Sequence, residues 1–402
     1  MTRRRLALIL TLCVACLGAP DTHAKRSKSA PPPKPLKTKA LKSLVKAAAS
    51  CTVLHSSRCE PLATIVGHRE AAAPALMSFL RSKKPVHRAI AATGLGTIGY
   101  TPAGKRVLPL LKDKDPAVQQ AAIVALGRLA PEGAIRSLAR CAGREDLNQR
   151  VLATTALGLT RKSAAVTPLM RLLTDSHPKV QASAARALGT IGNDRATMAL
   201  ATMLADPVTR IPVRQAITEA LGRLGDPQAV AILLQATGES EVEIRKAAVA
   251  SLGQLKDIRA VSALALLIRD PALTETAIRA LGQIGHVDGL PSLLRITKEP
   301  GVDPITVKQA FWALGEIKSE STVAALKPYL AAKDTQIVKW ACDALGRVRL
   351  PSATQALIDT LHHQDTDTKE MAAWSLQQLT GVNLGTDVTR WEQWFYAREK
   401  VE

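Results

Sequence analysis

Few residues in this 402-residue chain have the types and spacing that chemistry requires. His362 and His363 are adjacent, and neighbouring side chains on a helix point in different directions, so these two imidazoles do not converge on one metal ion. The acidic run Glu239, Glu241 and Glu243 could attract calcium, but it precedes a predicted helix whose dipole already favours negative charge. No phosphate-binding loop, nucleophile elbow or dinucleotide fingerprint occurs. We therefore predict a non-enzymatic protein without a catalytic residue, metal or cofactor.

The cysteines are predicted to be of two kinds, one disulfide-bonded pair and two buried free thiols. Cys51 and Cys59 lie close together in a region that looks like a decayed terminal repeat. In an oxidising compartment, a disulfide between Cys51 and Cys59 would add about 2–3 kcal/mol of stability. Cys141 and Cys342 each fall on the apolar stripe of a predicted helix, so they are expected to be buried free thiols.

The elements that would position any site follow from a repeated Leu-Gly pair. Successive glycines of the pair lie 29 to 33 residues apart, and a degenerate tenth copy stands at Leu376-Gln377. The nine pairs are Leu95-Gly96, Leu126-Gly127, Leu157-Gly158, Leu188-Gly189, Leu221-Gly222, Leu252-Gly253, Leu281-Gly282, Leu314-Gly315 and Leu345-Gly346. Such a period is typical of a solenoid, in which each unit buries its apolar face against its neighbours. A helical glycine costs about 1 kcal/mol relative to alanine, so nine at one register predict a close-packed neighbouring helix.

Each unit between about residues 71 and 380 contains a short first helix and a longer second helix. Second-helix sequences such as DPAVQQAAIVALGRL (115–129) and IPVRQAITEALGRLGD (211–226) resemble the short HEAT-like repeats of phycobilin lyase subunits. The resemblance implies an all-α, right-handed α-solenoid of about ten two-helix HEAT-like repeats of about 31 residues, with an N-terminal cap and a C-terminal closing helix. It implies an exported bacterial protein and says little about activity.

HEAT-like enzymes provide a weaker alternative. Deoxyhypusine hydroxylase binds iron through repeated His-Glu dipeptides, and this chain has none. Phycobilin lyase activity would rest on the fold alone, which does not determine function. HEAT-like DNA glycosylases combine a basic concave face with tryptophans, whereas here the basic residues and the tryptophans lie in opposite halves of the chain. We therefore expect no nucleic acid partner and rank an enzyme of the lyase or glycosylase type lower.

The N-terminus is predicted to direct export. Arg3, Arg4 and Arg5 precede an apolar run from Leu6 to Ala19, which is too short for an ordinary membrane span. A periplasmic or secreted protein is expected, with an envelope lipoprotein anchored at Cys16 as the alternative. The predicted segments are a signal peptide (1–24), a basic Pro/Lys-rich linker (25–40), an N-terminal cap repeat (41–70), the HEAT-like array (71–385) and a C-terminal capping helix (386–402).

The positive charge lies in the first half of the chain. Residues 25–197 contain 29 Lys and Arg against 9 Asp and Glu, while residues 198–402 contain 22 against 24. This imbalance favours a second hypothesis, in which the basic half binds an anionic envelope polysaccharide or lipid headgroups.

The surface that would bind another protein is predicted on the second helices, which line the concave side of such solenoids. Positions two residues before and two after the repeated leucine share one face of each second helix. Trp312 and Trp374 occupy the earlier position, and tryptophan with arginine is typical of interface hot spots. Packing of both rings on neighbouring repeats is the alternative. The predicted partner-binding residues are Arg279, Lys308, Trp312, Lys339, Arg347 and Trp374.

Overall fold

The computed structural model describes residues 38–50 and 59–399. The predicted signal peptide, the linker as far as residue 37, and the predicted sites Cys16 and Cys51 lie outside the described residues.

The described residues form helices and turns, without a strand. Helices α1 (Thr38–Ala48) and α2 (Glu60–Gly67) precede ten helix pairs, and α23 (Val388–Glu399) follows them. The first helices of the pairs are α3 (Ala73–Phe79), α5 (Gly104–Val107), α7 (Ala134–Ala142), α9 (Val166–Leu172), α11 (Thr197–Ala205), α13 (Ala229–Ala236), α15 (Val261–Leu267), α17 (Leu290–Lys298), α19 (Glu320–Leu326) and α21 (Pro351–Thr360). The second helices are α4 (Pro85–Ile98), α6 (Pro116–Leu129), α8 (Leu147–Leu159), α10 (Pro178–Ile191), α12 (Ile211–Leu224), α14 (Val242–Leu255), α16 (Thr274–Ile284), α18 (Pro304–Glu316), α20 (Thr335–Val348) and α22 (Thr366–Thr380). The predicted all-α solenoid of two-helix repeats is confirmed.

The chain divides into two units, residues 1–220 and 221–402. In the first unit, α4 packs on α6, α6 on α8 and α8 on α10. In the second, α14, α16, α18, α20 and α22 pack in the same successive order. First helices pack on the second helices of their own repeats, as α3 does on α4 and α21 on α22, and the alanine, leucine, valine and isoleucine side chains between them are buried. None of the described helices combines the length and the apolar character needed to cross a bilayer.

The repeated glycine lies where one second helix meets the next. A Cβ atom added at Gly96 would stand 2.7 Å from Ala125 Cα, and one added at Gly158 would stand 2.7 Å from Ala187 Cβ. Ala125 and Ala187 each precede the Leu-Gly pair of the following repeat. The Ala-Leu-Gly sequence therefore supplies both sides of the contact, and the predicted close approach is confirmed.

Changes in the repeat length are absorbed in the connections and in one short helix. An aspartate followed by a proline is expected to cap the helix that the proline begins, and the pattern occurs at Asp115, Asp206, Asp270 and Asp303. Asp115 and Asp303 accept hydrogen bonds from the first N–H groups of α6 and α18, as expected. At Asp206 the same pattern makes a turn, and α12 begins only at Ile211. Asp270 also makes a turn, before the shortened helix α16 of 11 residues. The expectation of a cap was wrong at Asp206 and Asp270, because each aspartate lies in a turn and the second helix begins only at Ile211 and Thr274.

Arginine–aspartate ion pairs, here called ties, connect adjacent repeats and were not predicted from the sequence. Arg88 of α4 donates two hydrogen bonds of 2.7 Å to Asp113, which lies 25 residues later in the next repeat. Arg150 and Asp175 make the equivalent ion pair at 3.0 Å. Burial raises the pKa of the Asp113 carboxyl, but hydrogen bonds from Arg88 and from the backbone N–H of Asp115 hold that pKa below its usual value. The ion pair with Arg88 therefore stabilises the charged form of the Asp113 carboxylate.

Both ends of the array are covered by additional helices. At the C-terminal end, α23 packs on α21, and the fully buried Trp391 donates its indole N–H to the carbonyl oxygen of Gly385 at 2.8 Å. At the other end, α1 packs on α2 and α4.

The described cysteines are of two kinds. Cys59 is disulfide-bonded, and because Cys51 lies outside the described residues, their pairing stays a prediction. Cys141 and Cys342 are buried and free, as predicted. Burial raises the pKa of the Cys342 thiol to about 12, so this thiol is protonated and unreactive in the folded protein.

Candidate partner-binding surface

The predicted surface residues lie on α16, α18, α20 and α22, but the two tryptophans have different surroundings. Trp312 is half-buried, and its ring stands 2.8 Å from the position that a Cβ atom of Gly282 would occupy. Trp312 thus fills the space left by a glycine of the preceding repeat. Trp374 is 46% exposed, although it has the same position relative to its repeated leucine.

Three of the four predicted cations are used in ion pairs. Arg279 binds Glu275 of its own helix at 2.9 Å, and Lys339 binds Asp367 of the next repeat at 3.0 Å. The hydrogen bond and charge of Asp367 raise the pKa of Lys339. Lys308 is exposed.

Arg347, the third of these paired cations, is bound by two carboxylates. Its Nη1 lies 3.3 Å from Glu316 Oε1 of α18, and its Nε lies 3.1 Å from Asp343 Oδ2 of its own helix. A side chain held by two carboxylates in different repeats loses little further freedom when a ligand binds beside it.

A solvent-open cavity of about 330 Å³ lies on the second-helix face of the last three repeats. The structure brings Arg347 and Trp374 together in its wall, whereas Arg279, Lys308 and Lys339 do not line it. The lining residues are Glu316, Lys318, Asp343, Gly346, Arg347, Arg349, Trp374 and Gln378. We call this the Trp374 pocket.

Sequence reasoning missed two cations of the Trp374 pocket, Lys318 and Arg349. Each stands four residues after a repeated leucine, just beyond the end of its second helix. In four other repeats this position is a glycine with positive φ, such as Gly99 and Gly192. In three it is another residue with positive φ, namely Ala130, Arg161 or Lys256. Arg349 adopts the same left-handed conformation, with φ 59°. A lysine or arginine at this position in two successive repeats next to Trp374 was the available signal, but the prediction followed only the helical columns.

The described part of the chain brings no three His, Cys, Asp or Glu side chains together in the manner of a metal site. The Trp374 pocket has two carboxylates, and both are bound by Arg347. Its arrangement suits the binding of a planar or apolar group together with a negative charge.

Comparisons with known proteins bear on the fold. A family model for HEAT repeats matches residues 73–150, 144–212, 209–272 and 265–342. The chain is similar to human deoxyhypusine hydroxylase in complex with glycerol, at 20% identity over 64% of this chain and 99% of that chain, with a TM-score of 0.31. It is similar to the CpcE and CpcF complex of phycocyanin lyase from Nostoc sp. PCC7120, at 22% identity over 65% and 94% of the two chains and a TM-score of 0.32. No curated protein matches the sequence of this chain.

Proposed function

Because the chain belongs to the HEAT-repeat family, we propose that it is a non-enzymatic scaffold that binds another protein through the second-helix face of its last three repeats. The observation that carries the proposal is the Trp374 pocket, in which an exposed indole stands beside an arginine held by two carboxylates. Tryptophan and arginine are the residues most enriched at interface hot spots. A rigid arginine and a preformed cavity reduce the entropy lost on binding.

The proposed scaffold acts outside the cytoplasm. The basic start of the chain, the apolar run that follows and a small-residue cleavage site at Thr22-His23-Ala24 support export, and the disulfide at Cys59 agrees with an oxidising compartment. A soluble periplasmic or secreted protein is proposed ahead of an envelope lipoprotein anchored at Cys16. N-terminal sequencing and mass measurement of the exported protein distinguish cleavage after residue 24 from lipidation at Cys16.

Replacing Trp374 with alanine is expected to weaken partner binding by more than about 2 kcal/mol while leaving the melting temperature nearly unchanged, because the ring is half exposed. Replacing Trp312 is expected to do the reverse and cost up to about 3 kcal/mol of stability, since that ring packs against Gly282. The measurements are the affinity for a protein captured from an envelope fraction at moderate salt, and the thermal midpoint of each variant.

Tyr396→Ala is the matched control, because Tyr396 is a similarly exposed aromatic residue on α23, away from the pocket. It should alter neither quantity. Unchanged partner affinity in Trp374→Ala, with normal affinity in the control, would remove the pocket from the proposed function.

A second candidate function, the binding of an anionic envelope polymer, is favoured by the first helices of the first unit. Lys105, Arg136, Arg140 and Arg171 are exposed, and none of them has an ion-pair partner among the described residues. Lys105 and Arg136 lie 31 residues apart, as do Arg140 and Arg171, so they form two rows across successive repeats. Helices α3, α5, α7 and α9 expose no large hydrophobic side chain for insertion into lipid. A polymer is therefore favoured over a membrane.

The double variant Arg136→Glu/Arg140→Glu is expected to elute from an immobilised polygalacturonate column at lower salt than the wild type, because binding to such a polymer is electrostatic. Lys298→Glu/Lys327→Glu makes the same change in net charge on exposed residues of the second unit and should elute like the wild type. Equal elution shifts in the two double variants would show that only the net charge matters and would exclude a specific basic surface.

A further inference from the structure

The Trp374 pocket contains positive charge that the protein itself does not neutralise. Glu316 and Asp343 are both bound by Arg347, so these three side chains balance to about one negative charge. Lys318 and Arg349 are exposed at the rim and make no ion pair among the described residues. The pocket therefore offers two cations to a ligand next to an exposed indole face.

We propose that the Trp374 pocket binds an extended, acidic segment of the partner protein. The carboxylates of this segment lie at Lys318 and Arg349, and an apolar or aromatic side chain of the same segment lies against Trp374. The inference rests on the proposed function and names the chemistry of the partner at that site.

The spacing of the two cations favours an extended peptide. Lys318 and Arg349 have the same position in successive repeats, and neighbouring packed helices lie about 8–10 Å apart. Carboxylates three residues apart on an extended chain in the polyproline II conformation lie on the same side and about 9 Å apart, since three residues make one turn and each advances the chain by about 3.1 Å. One segment can therefore satisfy both cations, while an aromatic side chain beside them packs on the indole.

The charge of the surroundings favours a peptide with few carboxylates over a nucleic acid strand. Residues 198–402 hold 22 Lys and Arg against 24 Asp and Glu, so this part of the chain has no excess of positive charge. Single-stranded nucleic acids bind in positively charged grooves that follow the phosphate backbone. The Glu316 and Asp343 carboxylates in the pocket wall would repel a closely spaced row of phosphates.

The backbone at Arg349 provides a test that does not depend on loss of folding. Arg349 adopts a left-handed conformation with φ 59°, which glycine adopts without strain. Arg349→Gly therefore removes the cation while relieving local strain. Lys256→Gly is the matched control, because Lys256 is also a cation with positive φ at the end of a second helix of the same unit, and it does not line the pocket.

The experiment measures binding of three probes to the full-length protein by calorimetry at low salt. The probes are the acidic peptide Ac-ELAEF-NH2, its amide counterpart Ac-QLAQF-NH2 and hexathymidylate. The acidic peptide is expected to bind, and the amide peptide to bind at least about fivefold more weakly. Arg349→Gly should weaken the acidic peptide about fivefold without lowering the melting temperature, and Lys256→Gly should not.

Equal affinity for the acidic and amide peptides, or no binding of the acidic peptide, overturns the inference. Binding of hexathymidylate in preference to both peptides also overturns it and assigns the pocket to nucleic acid. The partner captured from the envelope fraction separates this inference from the proposed function. If that partner is lost from Trp374→Ala but retained equally by Arg349→Gly and the wild type, the acidic segment is wrong and the proposed function stands.

Discussion

Replacing Trp391 with alanine is expected to lower the free energy of unfolding by about 3–5 kcal/mol, the largest effect of any single substitution considered for this protein. The ring is fully buried where α23 packs on α21, and it stacks edge-on against Trp394 at 5.7 Å between centroids. Its indole N–H is bonded to the Gly385 carbonyl. Truncation leaves a cavity beneath the closing helix and an unpaired carbonyl. Urea unfolding followed by circular dichroism measures the loss.

Trp391→Phe is the informative comparison, because it keeps most of the ring and removes the hydrogen bond. It is expected to cost less than alanine, with about 1 kcal/mol of the loss attributable to the bond to Gly385. An alanine variant with wild-type stability would mean that α23 does not cover the last repeat.

Replacing Gly96 with alanine is expected to destabilise the protein by about 1–3 kcal/mol, although alanine is the better helix former. The added Cβ atom would stand 2.7 Å from Ala125 Cα and 2.9 Å from Ala125 Cβ. Because the obstacle is the backbone of the next second helix, relief requires α4 and α6 to move apart. Chemical denaturation of the single variant measures the cost.

Gly94→Ala is the control in the same helix. Its Cβ atom would meet Leu76 Cδ1 at 3.0 Å, and the end of a leucine side chain moves more easily than a backbone. Alanine is expected to be neutral or stabilising at residue 94, since the gain in helix propensity is about 1 kcal/mol. If Gly96→Ala were as stable as Gly94→Ala, the repeated glycine would have no role in helix packing.

The repeat architecture could be predicted because the residues that recur at each step, the Leu-Gly pairs, have one physical role, which is helix packing. Each Leu-Gly pair marks a second helix, and the small residue before it, usually alanine, marks the surface that meets the preceding glycine. Cys141 and Cys342 were correctly placed in the core for the same reason, since their positions lie on the apolar stripe. The Arg88–Asp113 tie was missed because its partners lie in different repeats and on a helix and a loop.

The candidate site was only partly predictable. Trp312 and Trp374 share one helical column, but a side chain's direction depends on its rotamer, which spacing does not encode. One ring consequently packs on Gly282 and the other is exposed. Lys318 and Arg349 lie beyond the helix ends, where the 3.6-residue period no longer relates positions in the sequence to a face.

The two kinds of inter-repeat ion pair give different parts of the array a different response to ionic strength. The Arg88–Asp113 and Arg150–Asp175 pairs are mostly shielded from solvent, so dissolved ions screen them weakly. In α18 and α20 the position of these arginines is taken by Val307 and Val338, and the Arg347–Glu316 pair joins those helices on the open face. Solvent reaches that pair, so added salt weakens it. We therefore expect added salt to weaken the contact between α18 and α20 near Trp374, and to leave the contacts made by the Arg88–Asp113 and Arg150–Asp175 pairs nearly unchanged.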